Sequence, residues 1–443
     1  MAPFGLAAGA RIAVAVSGGA DSMALLRLLA EWAKVNGADL AAVTVDHRLR
    51  AEAAAEAAQV AAWLGPLGVS HVTMAWEEGA LEPREPSAPN SKVRSAQKAA
   101  REARYRLTAA WCARENRSHL FLAHHADDQV ETFLIRLTRG SGINGLAAMA
   151  PMSRLRSTAG DVLLARPLLA YTKADLADVC RGFGQPWLED PSNRNRASTR
   201  IRFRQAARLL EEEGFSRDRL LETVAHMQRA RAALDHATQQ LLATATAWDQ
   251  YGAVRVSLPA WAAAPEEIAL RALGALLTAA GGQIYGPRFE SLTRIAAQMR
   301  RGPWRDSTLH GCFISRDADC FLIHREAAAI DHVAIARAGD TVLWDGRFRI
   351  TLPLEWASDV AGGPFRIAAW DGAESAAELA DVPARLRGCL PAVYDASGVA
   401  ALPHAGYLRA DLARGGLEPP DVACIPALNT SSSVSPVEDF AAL

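Results

Sequence analysis

The sequence of 443 residues has few of the features that mark metal-cluster, disulfide-rich or membrane proteins. Its six cysteines form no CxxC pair, which argues against a zinc site, an iron–sulfur cluster or a disulfide framework. No stretch reaches the ~20 consecutive apolar residues of a membrane span, and the first ten residues lack the basic start of a signal peptide. We therefore expect a cytoplasmic protein with reduced thiols and no membrane segment.

The sequence also lacks an excess of either charge. The formal net charge is −1, so a nucleic-acid partner would have to be bound by local basic patches. Hydrophobic residues make up 50% of the chain, which is enough to bury large cores in two or three domains.

The most informative stretch runs from Arg11 to Met23 and reads RIAVAVSGGADSM. It predicts a buried strand, a glycine turn and the start of a helix, an order that presents unpaired backbone N–H groups to an anion. A simple Gly-Gly turn with a Ser or Asp cap is the alternative. No lysine precedes Lys34, so the turn is not the GxxxxGK[ST] loop of kinase-type nucleotide sites.

The SGGADS turn resembles the PP-loop of the ATP pyrophosphatase family, whose members cleave ATP between the α and β phosphates. The resemblance implies that the serines and glycines of the turn hold pyrophosphate and that Asp21 helps to place Mg²⁺.

Further strands alternate with helices, a pattern that predicts an α/β fold with a doubly wound parallel sheet. The predicted strand 40–45 ends at Asp46 and His47, and the predicted strand 120–123 ends in HHADDQ. Because the carboxyl ends of parallel strands meet at one edge, we expect these polar residues to share a crevice with the SGGADS turn. Asp127 and Asp128 could bind Mg²⁺ or remove a proton there, or they could only cap a helix.

A predicted helix over 92–107 carries a basic row, with Arg94, Lys98 and Arg101 at positions i, i+4 and i+7. Such a row is often a solvated face. Because Arg104 and Arg106 follow with few acidic neighbours, a surface that contacts a phosphate backbone is the second interpretation of this row.

Five motifs occur in the order found in the tRNA(Ile)-lysidine synthetase family, and the chain resembles that family to about residue 203. They are SGGADS, DHRLR, AREARY, HHADDQVET and RGSGINGLAAM. The resemblance implies that ATP adenylates the C2 oxygen of the wobble cytidine in the CAU anticodon of tRNA(Ile), and that L-lysine then displaces AMP. The reaction would release pyrophosphate.

The resemblance also implies a role for individual residues, with the arginine that meets the α-phosphate left open. The expected catalytic residues are His125, Asp128, Arg200 and Arg202. The expected ATP-binding residues are Ser17, Gly18, Gly19, Ala20, Asp21, Ser22, Asp46, His47, Arg101 and Gly140, with Asp21 and Asp127 as Mg²⁺ ligands. The expected tRNA-binding residues are Arg94, Lys98, Arg104, Arg194, Arg196, Arg204 and Arg208.

Three local patterns predict structure beyond the motifs. Thr172 and Asp175 have the spacing of a helix N-cap with an acidic residue three positions on, and Asp345-Gly346 predicts a turn between two strands. The spacing of Leu220, Leu221, Val224, Met227 and Leu234 predicts the core stripe of a helix.

We predict four regions: a PP-loop catalytic domain (1–210), a helical tRNA-binding domain (211–305), a small α+β or β-rich C-terminal domain (306–427) and a disordered tail (428–443). The protein would be a monomer or a homodimer. Two other functions stay open, namely a PP-loop enzyme that thiolates tRNA cytidine and a module that senses ATP without turning it over.

The basic row generates the first prediction. If Arg94, Lys98 and Arg101 bind phosphates, replacing all three with alanine should weaken tRNA binding. It should also flatten the dependence of the affinity on salt by roughly one unit of slope for each phosphate that is no longer neutralised. Binding measured across a range of KCl concentrations tests this, and an unchanged slope would identify the row as a solvated face.

Overall fold

The computed structural model describes residues 2–46, 53–75, 104–105, 107–157, 160–189, 214–283, 285–301, 303–357, 364–372 and 379–425. These residues divide into two compact units, one up to Ala232 and the other from Ala233 on. Within these ranges no helix has both the length and the apolar character that crossing a bilayer requires.

The first unit is built on a six-stranded sheet with the strand order β3-β2-β1-β4-β6-β5. All neighbours in it are parallel except β5 and β6. Its strands are β1 (Arg11–Ala15), β2 (Asp39–Asp46), β3 (Ser70–Ala75), β4 (His119–Phe121), β5 (Met152–Ser157) and β6 (Gly160–Ala165). The predicted doubly wound α/β fold is confirmed.

Helices cover both faces of this sheet, which explains the continuous apolar character of β1. Ile12 and Val14 belong to the core on one face, and Ala13 belongs to the core on the other. The helices of the unit are α1 (Ala20–Asn36), α2 (Ala53–Leu64), α3 (Ala126–Leu137), α4 (Ile143–Leu146), α5 (Lys173–Gly182) and the start of α6 (Arg217–Ala245). Residues 107–114 are also helical.

The strand order reverses between β1 and β4. From β1 the chain proceeds to β2 and β3 on one side, and it then returns to place β4 on the other side. In open α/β sheets, ligands bind outside the carboxyl ends of the strands at such a reversal. The turn after β1 and the segment after β4 therefore border the same crevice.

Helix α3, which follows β4, is fastened to the loop beyond its own end. The buried side chain of Gln129 donates to the Met149 carbonyl (2.9 Å) and accepts from the Met149 N–H (2.8 Å). Nη1 of Arg136 donates to the carbonyls of Gly145 and Ala148. The loop is thus a fixed support for α3.

The long helix α6 packs against the same support. Nε2 of Gln228 donates to the carbonyls of Ala147 (3.1 Å) and Met149 (3.3 Å). Val224 and Leu220, one and two turns earlier, share an apolar core with α3. This stripe was part of the predicted core of the helix.

The second unit contains three antiparallel sheets, with orders β7-β8-β11-β10-β9, β12-β15-β16-β17-β18 and β13-β14-β19. The strands in chain order are β7 (Thr246–Trp248), β8 (Val254–Ser257), β9 (Ser307–Leu309), β10 (Cys312–Asp317), β11 (Cys320–Arg325), β12 (Ala334–Ala336), β13 (Thr341–Trp344), β14 (Phe348–Thr351), β15 (Phe365–Ala369), β16 (Pro391–Asp395), β17 (Gly398–Leu402), β18 (Tyr407–Leu408) and β19 (Asp421–Cys424). Its helices are the end of α6, α7 (Leu258–Ala263), α8 (Glu266–Ala280), α9 (Phe289–Arg301), α10 (Ala384–Arg387) and α11 (Ala410–Arg414).

The boundary expected between residues 305 and 306 does not separate two packed bodies. Strand β8 lies before it and pairs with β11, which lies after it, and α8 and α9 pack on the sheet that results. The region 211–305 is accordingly not wholly helical. The predicted turn at Asp345 and Gly346 is present, with φ of +48° and +65° between β13 and β14. The predicted tail 428–443 lies outside the described residues.

The support of α3 generates a stability prediction. The substitution Gln129→Leu leaves the buried N–H of Met149 without its acceptor, and it should lower the free energy of unfolding by about 1–3 kcal/mol. Urea unfolding compared with wild type measures this. Gln59→Leu on the exposed face of α2 is the matched control and should change stability by less than about 0.5 kcal/mol. Equal effects of the two substitutions would contradict the supporting role.

Candidate functional site

The turn after β1 is held in an open shape by contacts on both sides. Oγ1 of Thr44 on β2 donates to the Val16 carbonyl (2.8 Å), and the N–H of Leu188 donates to the Gly18 carbonyl (2.8 Å). Gly18 has a φ of +84°, and a Cβ atom there would lie 2.6 Å from Cδ1 of Leu188. Only glycine fits this position.

The serines of the turn arrange its donors. The N–H of Ser17 donates to Oγ of Ser22 (3.2 Å), and Oγ of Ser22 donates to the Gly19 carbonyl (3.0 Å). Helix α1 starts at Ala20 after an extended Gly19, so the N–H groups of its first turn have no carbonyl within the helix to bind. Together with the positive end of the helix, they form the predicted anion cradle.

Helix α3 starts from an equally fixed point. The N–H of Ala126 donates to the Tyr171 carbonyl (2.8 Å), and the N–H of His125 donates to Oδ2 of Asp128 (3.1 Å). The second bond is half of a capping box, which fixes the first turn of the helix. Asp128 therefore caps the helix, and its carboxylate also faces the cluster described next.

Three carboxylates surround the imidazole of His125, which is only 3% exposed. Its Nε2 lies 3.6 Å from Oδ2 of Asp21 and 3.5 Å from Oδ2 of Asp128. Its Nδ1 lies 3.5 Å from Oδ2 of Asp127. The contact between Asp21 and His125 joins the turn after β1 to the segment after β4, so the predicted proximity of these two segments is confirmed.

These carboxylates change the proton affinity of the ring. Burial alone lowers the pKa of His125, but contact with Asp21 and the negative charges of Asp128 and Asp127 outweigh it and raise the pKa above its ordinary value. The cluster therefore favours an imidazolium, a buried positive charge next to the anion cradle.

Asp127 has two further partners that the sequence did not suggest. Its Oδ2 accepts from the N–H of Lys173 (3.1 Å), and its Oδ1 lies 3.7 Å from Nη1 of Arg217. Lys173 is the first residue of α5, which the predicted Thr172 and Asp175 capping box starts. The sequence predicted the cap because its residues are three positions apart. It did not predict the contact between Lys173 and Asp127, which are 46 residues apart.

The other predicted site residues in the described part lie outside this cluster. Asp46 ends β2 and is half-buried. Arg104 is exposed on a helical segment. Gly140 lies beyond the C-terminal end of α3 and has a φ of +69°. The role of Gly140 in ATP binding stays a prediction.

Ten predicted residues lie outside the described residues. They are His47, Arg94, Lys98, Arg101, Arg194, Arg196, Arg200, Arg202, Arg204 and Arg208.

The donor set of the cluster suits a divalent cation only in part. Among the described residues, no group of three or more His, Cys, Asp or Glu side chains has the geometry of a complete metal site. Magnesium, however, commonly takes only one or two carboxylates and completes its shell with phosphates and water. Oδ1 of Asp21 is buried and has no hydrogen-bond partner in the described part of the chain, which suits such a ligand.

Comparison with known proteins extends these observations. Residues 3–211 match the family model described as a PP-loop domain. The tRNA(Ile)-lysidine synthase of Ruegeria pomeroyi is 38% identical over 348 residues, which is 78% of this chain and 77% of that protein. That of Wolbachia pipientis wMel is 34% identical, covering 77% of each chain. That of Hyphomonas neptunium is 35% identical, covering 82% of this chain and 90% of its own.

The similarity thus extends well beyond the PP-loop domain and covers most of each relative's length. The order of motifs, the reversal of strand order at β1 and β4, and these relatives agree with one another. The chain belongs to the tRNA(Ile)-lysidine synthase family.

Proposed function

We propose that the chain is an ATP-dependent ligase that joins L-lysine to C2 of the wobble cytidine in the CAU anticodon of tRNA(Ile). The product is lysidine, and AMP and pyrophosphate are released. The observation that carries the proposal is the contact between His125 and Asp21, because it joins an anion cradle to three carboxylates at one edge of the sheet. The two similar proteins from Ruegeria pomeroyi and Wolbachia pipientis wMel are named for the same product.

In the first step the C2 oxygen of cytidine attacks the α-phosphorus, and pyrophosphate leaves with the electrons of the broken P–O bond. The N–H groups of the turn, including that of Ser22, and the hydroxyl of Ser17 bind the leaving group. The imidazolium of His125 stabilises charge on the α-phosphate, together with Arg200 or Arg202. A buried positive charge performs this task well because little water screens it.

Asp21 and Asp127 would hold Mg²⁺ in this proposal. When bound, the ion neutralises charge on the phosphates and aligns them. Asp128 and Asp21 both lie near Nε2 of His125, so Asp128 is the alternative to Asp127 as the second Mg²⁺ ligand.

In the second step the ε-amine of lysine attacks C2, and AMP leaves. The amine is an ammonium in solution and must lose a proton before it can attack. We assign Asp128 as the acceptor of this proton, because its carboxylate is little exposed and faces the cluster.

A cytidine thiolase is the rival enzyme, and the cysteines disfavour it. All six are free thiols, and five are buried. Burial raises the pKa of Cys112 and of Cys312 to about 12. Sγ of Cys180 donates to the Ala20 carbonyl behind the turn. Sulfur transfer needs an accessible thiolate.

The products of the reaction test the proposal. With ATP, labelled lysine and tRNA(Ile), we expect lysine incorporation, AMP and pyrophosphate in equal amounts, and none of the three without tRNA. ADP and phosphate as the only products would overturn the reaction class. ATP binding without pyrophosphate release would identify an ATP sensor.

The two neighbouring aspartates should fail at different steps. Adjacent helical residues point about 100° apart, so Asp127 and Asp128 cannot face one ligand equally. Asp128→Asn keeps an oxygen for the His125 N–H and should fold, but lysine transfer should slow by about 10²–10⁴-fold through loss of the base. Asp127→Asn should instead impair adenylation and raise the Mg²⁺ requirement.

Quenched single-turnover reactions that separate adenylated tRNA from lysidine make this distinction. ATP binding by both variants is the control for folding. If only Asp128→Asn fails to form the intermediate, the two roles are exchanged. If both fail alike, the pair acts as one metal site and the assignment is wrong.

A further inference from the structure

Two exposed aromatic residues lie in the two chain segments that contact Asp127 from outside α3. Tyr171 is 53% exposed and Phe215 is 50% exposed. Tyr171 lies two residues before Lys173, whose N–H donates to Asp127. Phe215 lies two residues before Arg217, whose guanidinium contacts the same carboxylate. The fold thus brings two aromatic segments, far apart in the sequence, to one carboxylate.

The backbone of Tyr171 is fixed although its ring is exposed. Its carbonyl accepts the N–H of Ala126, the first residue of α3, at 2.8 Å. Its N–H donates to the Leu168 carbonyl at 2.9 Å. Thr172, which follows it, caps α5 through Asp175. An exposed aromatic side chain on a fixed backbone beside the proposed active site is well placed for a ligand contact.

The charges around the ring favour a nucleic acid. Lys173 and Arg219 are exposed and Arg217 is half-exposed, so each aromatic residue has basic neighbours. Asp175 and the exposed Asp218 lie among them and confine the positive charge to short patches. Aromatic rings interleaved with basic side chains are typical of sites for single-stranded nucleic acid.

We propose that the Tyr171 ring is the stacking platform for the nucleobase that is modified, which makes Tyr171 a positioning residue for a pyrimidine extruded from an RNA loop. This inference rests on the proposed function. A base whose C2 oxygen must reach an α-phosphate cannot stay stacked in its loop, and enzymes compensate for the lost stacking with an aromatic side chain. Tyr171 lies one backbone hydrogen bond from α3, which carries the catalytic carboxylates, so a base on its ring is held near them.

A fluorescent cytidine analogue at the wobble position of a CAU anticodon stem–loop tests the platform. Pyrrolocytidine retains the C2 carbonyl, and its emission drops when it stacks on an aromatic ring. We expect the wild-type protein and Tyr171→Phe to quench it on binding. Tyr171→Ala and Tyr171→Leu should lose the quenching and bind the stem–loop about 5- to 150-fold more weakly, the range for loss of one base–aromatic stack. Their KM for ATP should stay unchanged.

Tyr171→Leu retains apolar bulk, so it remains informative if the alanine variant folds poorly. Val35→Ala, at the exposed far end of α1, is the control for loss of a surface apolar group and should behave as wild type. Normal quenching in Tyr171→Leu would overturn the platform, as would equal loss in Tyr171→Phe, which would assign the effect to the hydroxyl. A wild-type protein that forms no lysidine on intact tRNA would overturn the proposed function itself, and the platform with it.

Discussion

The contact between the His125 imidazole and its three carboxylates is the constraint on which the catalytic unit depends. Three like charges within 3.6 Å of one buried ring would repel one another strongly without a positive charge between them. A protonated ring supplies that charge. It also ties the first turn of α1 to the first turn of α3, so a single side chain sets the position of one helix start relative to the other.

The rest of the first unit keeps that contact in place. β1 and β4 are neighbours, which brings the two helix starts together. Tyr171 fixes the start of α3, and Gln129 and Arg136 fix its middle and end against the loop that includes Met149. Because helix α3 is held along its whole length, the carboxylates at its start have little freedom to relax away from the ring. Such preorganisation is what electrostatic catalysis requires.

The sequence predicted those parts of the structure that depend on local physics. The strand and turn from Arg11 to Met23, the Thr172 cap and the hairpin at Asp345 and Gly346 each rest on residues a few positions apart. Contacts that close over long separations were not predictable, such as the N–H of Lys173 on Asp127.

The same limit applies to the second unit and to Gly140. Asp345 accepts hydrogen bonds from the buried Arg325 and Arg347, and no spacing in the sequence marks this cluster. The motif with Gly140 follows the motif with His125 in the sequence, and the 12 residues of α3 separate the two. A motif specifies which residues belong to a family, but not how far a helix carries them from one another.

The raised pKa of His125 gives the two proposed steps opposite demands on pH. Stabilisation of the cluster by the imidazolium is fully present below the ordinary pKa of histidine, and it is lost as the pH rises through the raised value in the folded protein. Adenylation uses that positive charge, so it is favoured on the acidic side. Attack by lysine needs a neutral amine, whose ordinary pKa is far higher, so it is favoured on the basic side. The raised pKa of His125 extends the range over which the ring keeps its charge toward the pH that favours the neutral amine. The three carboxylates have this effect because they outweigh burial and hold the proton on the His125 ring.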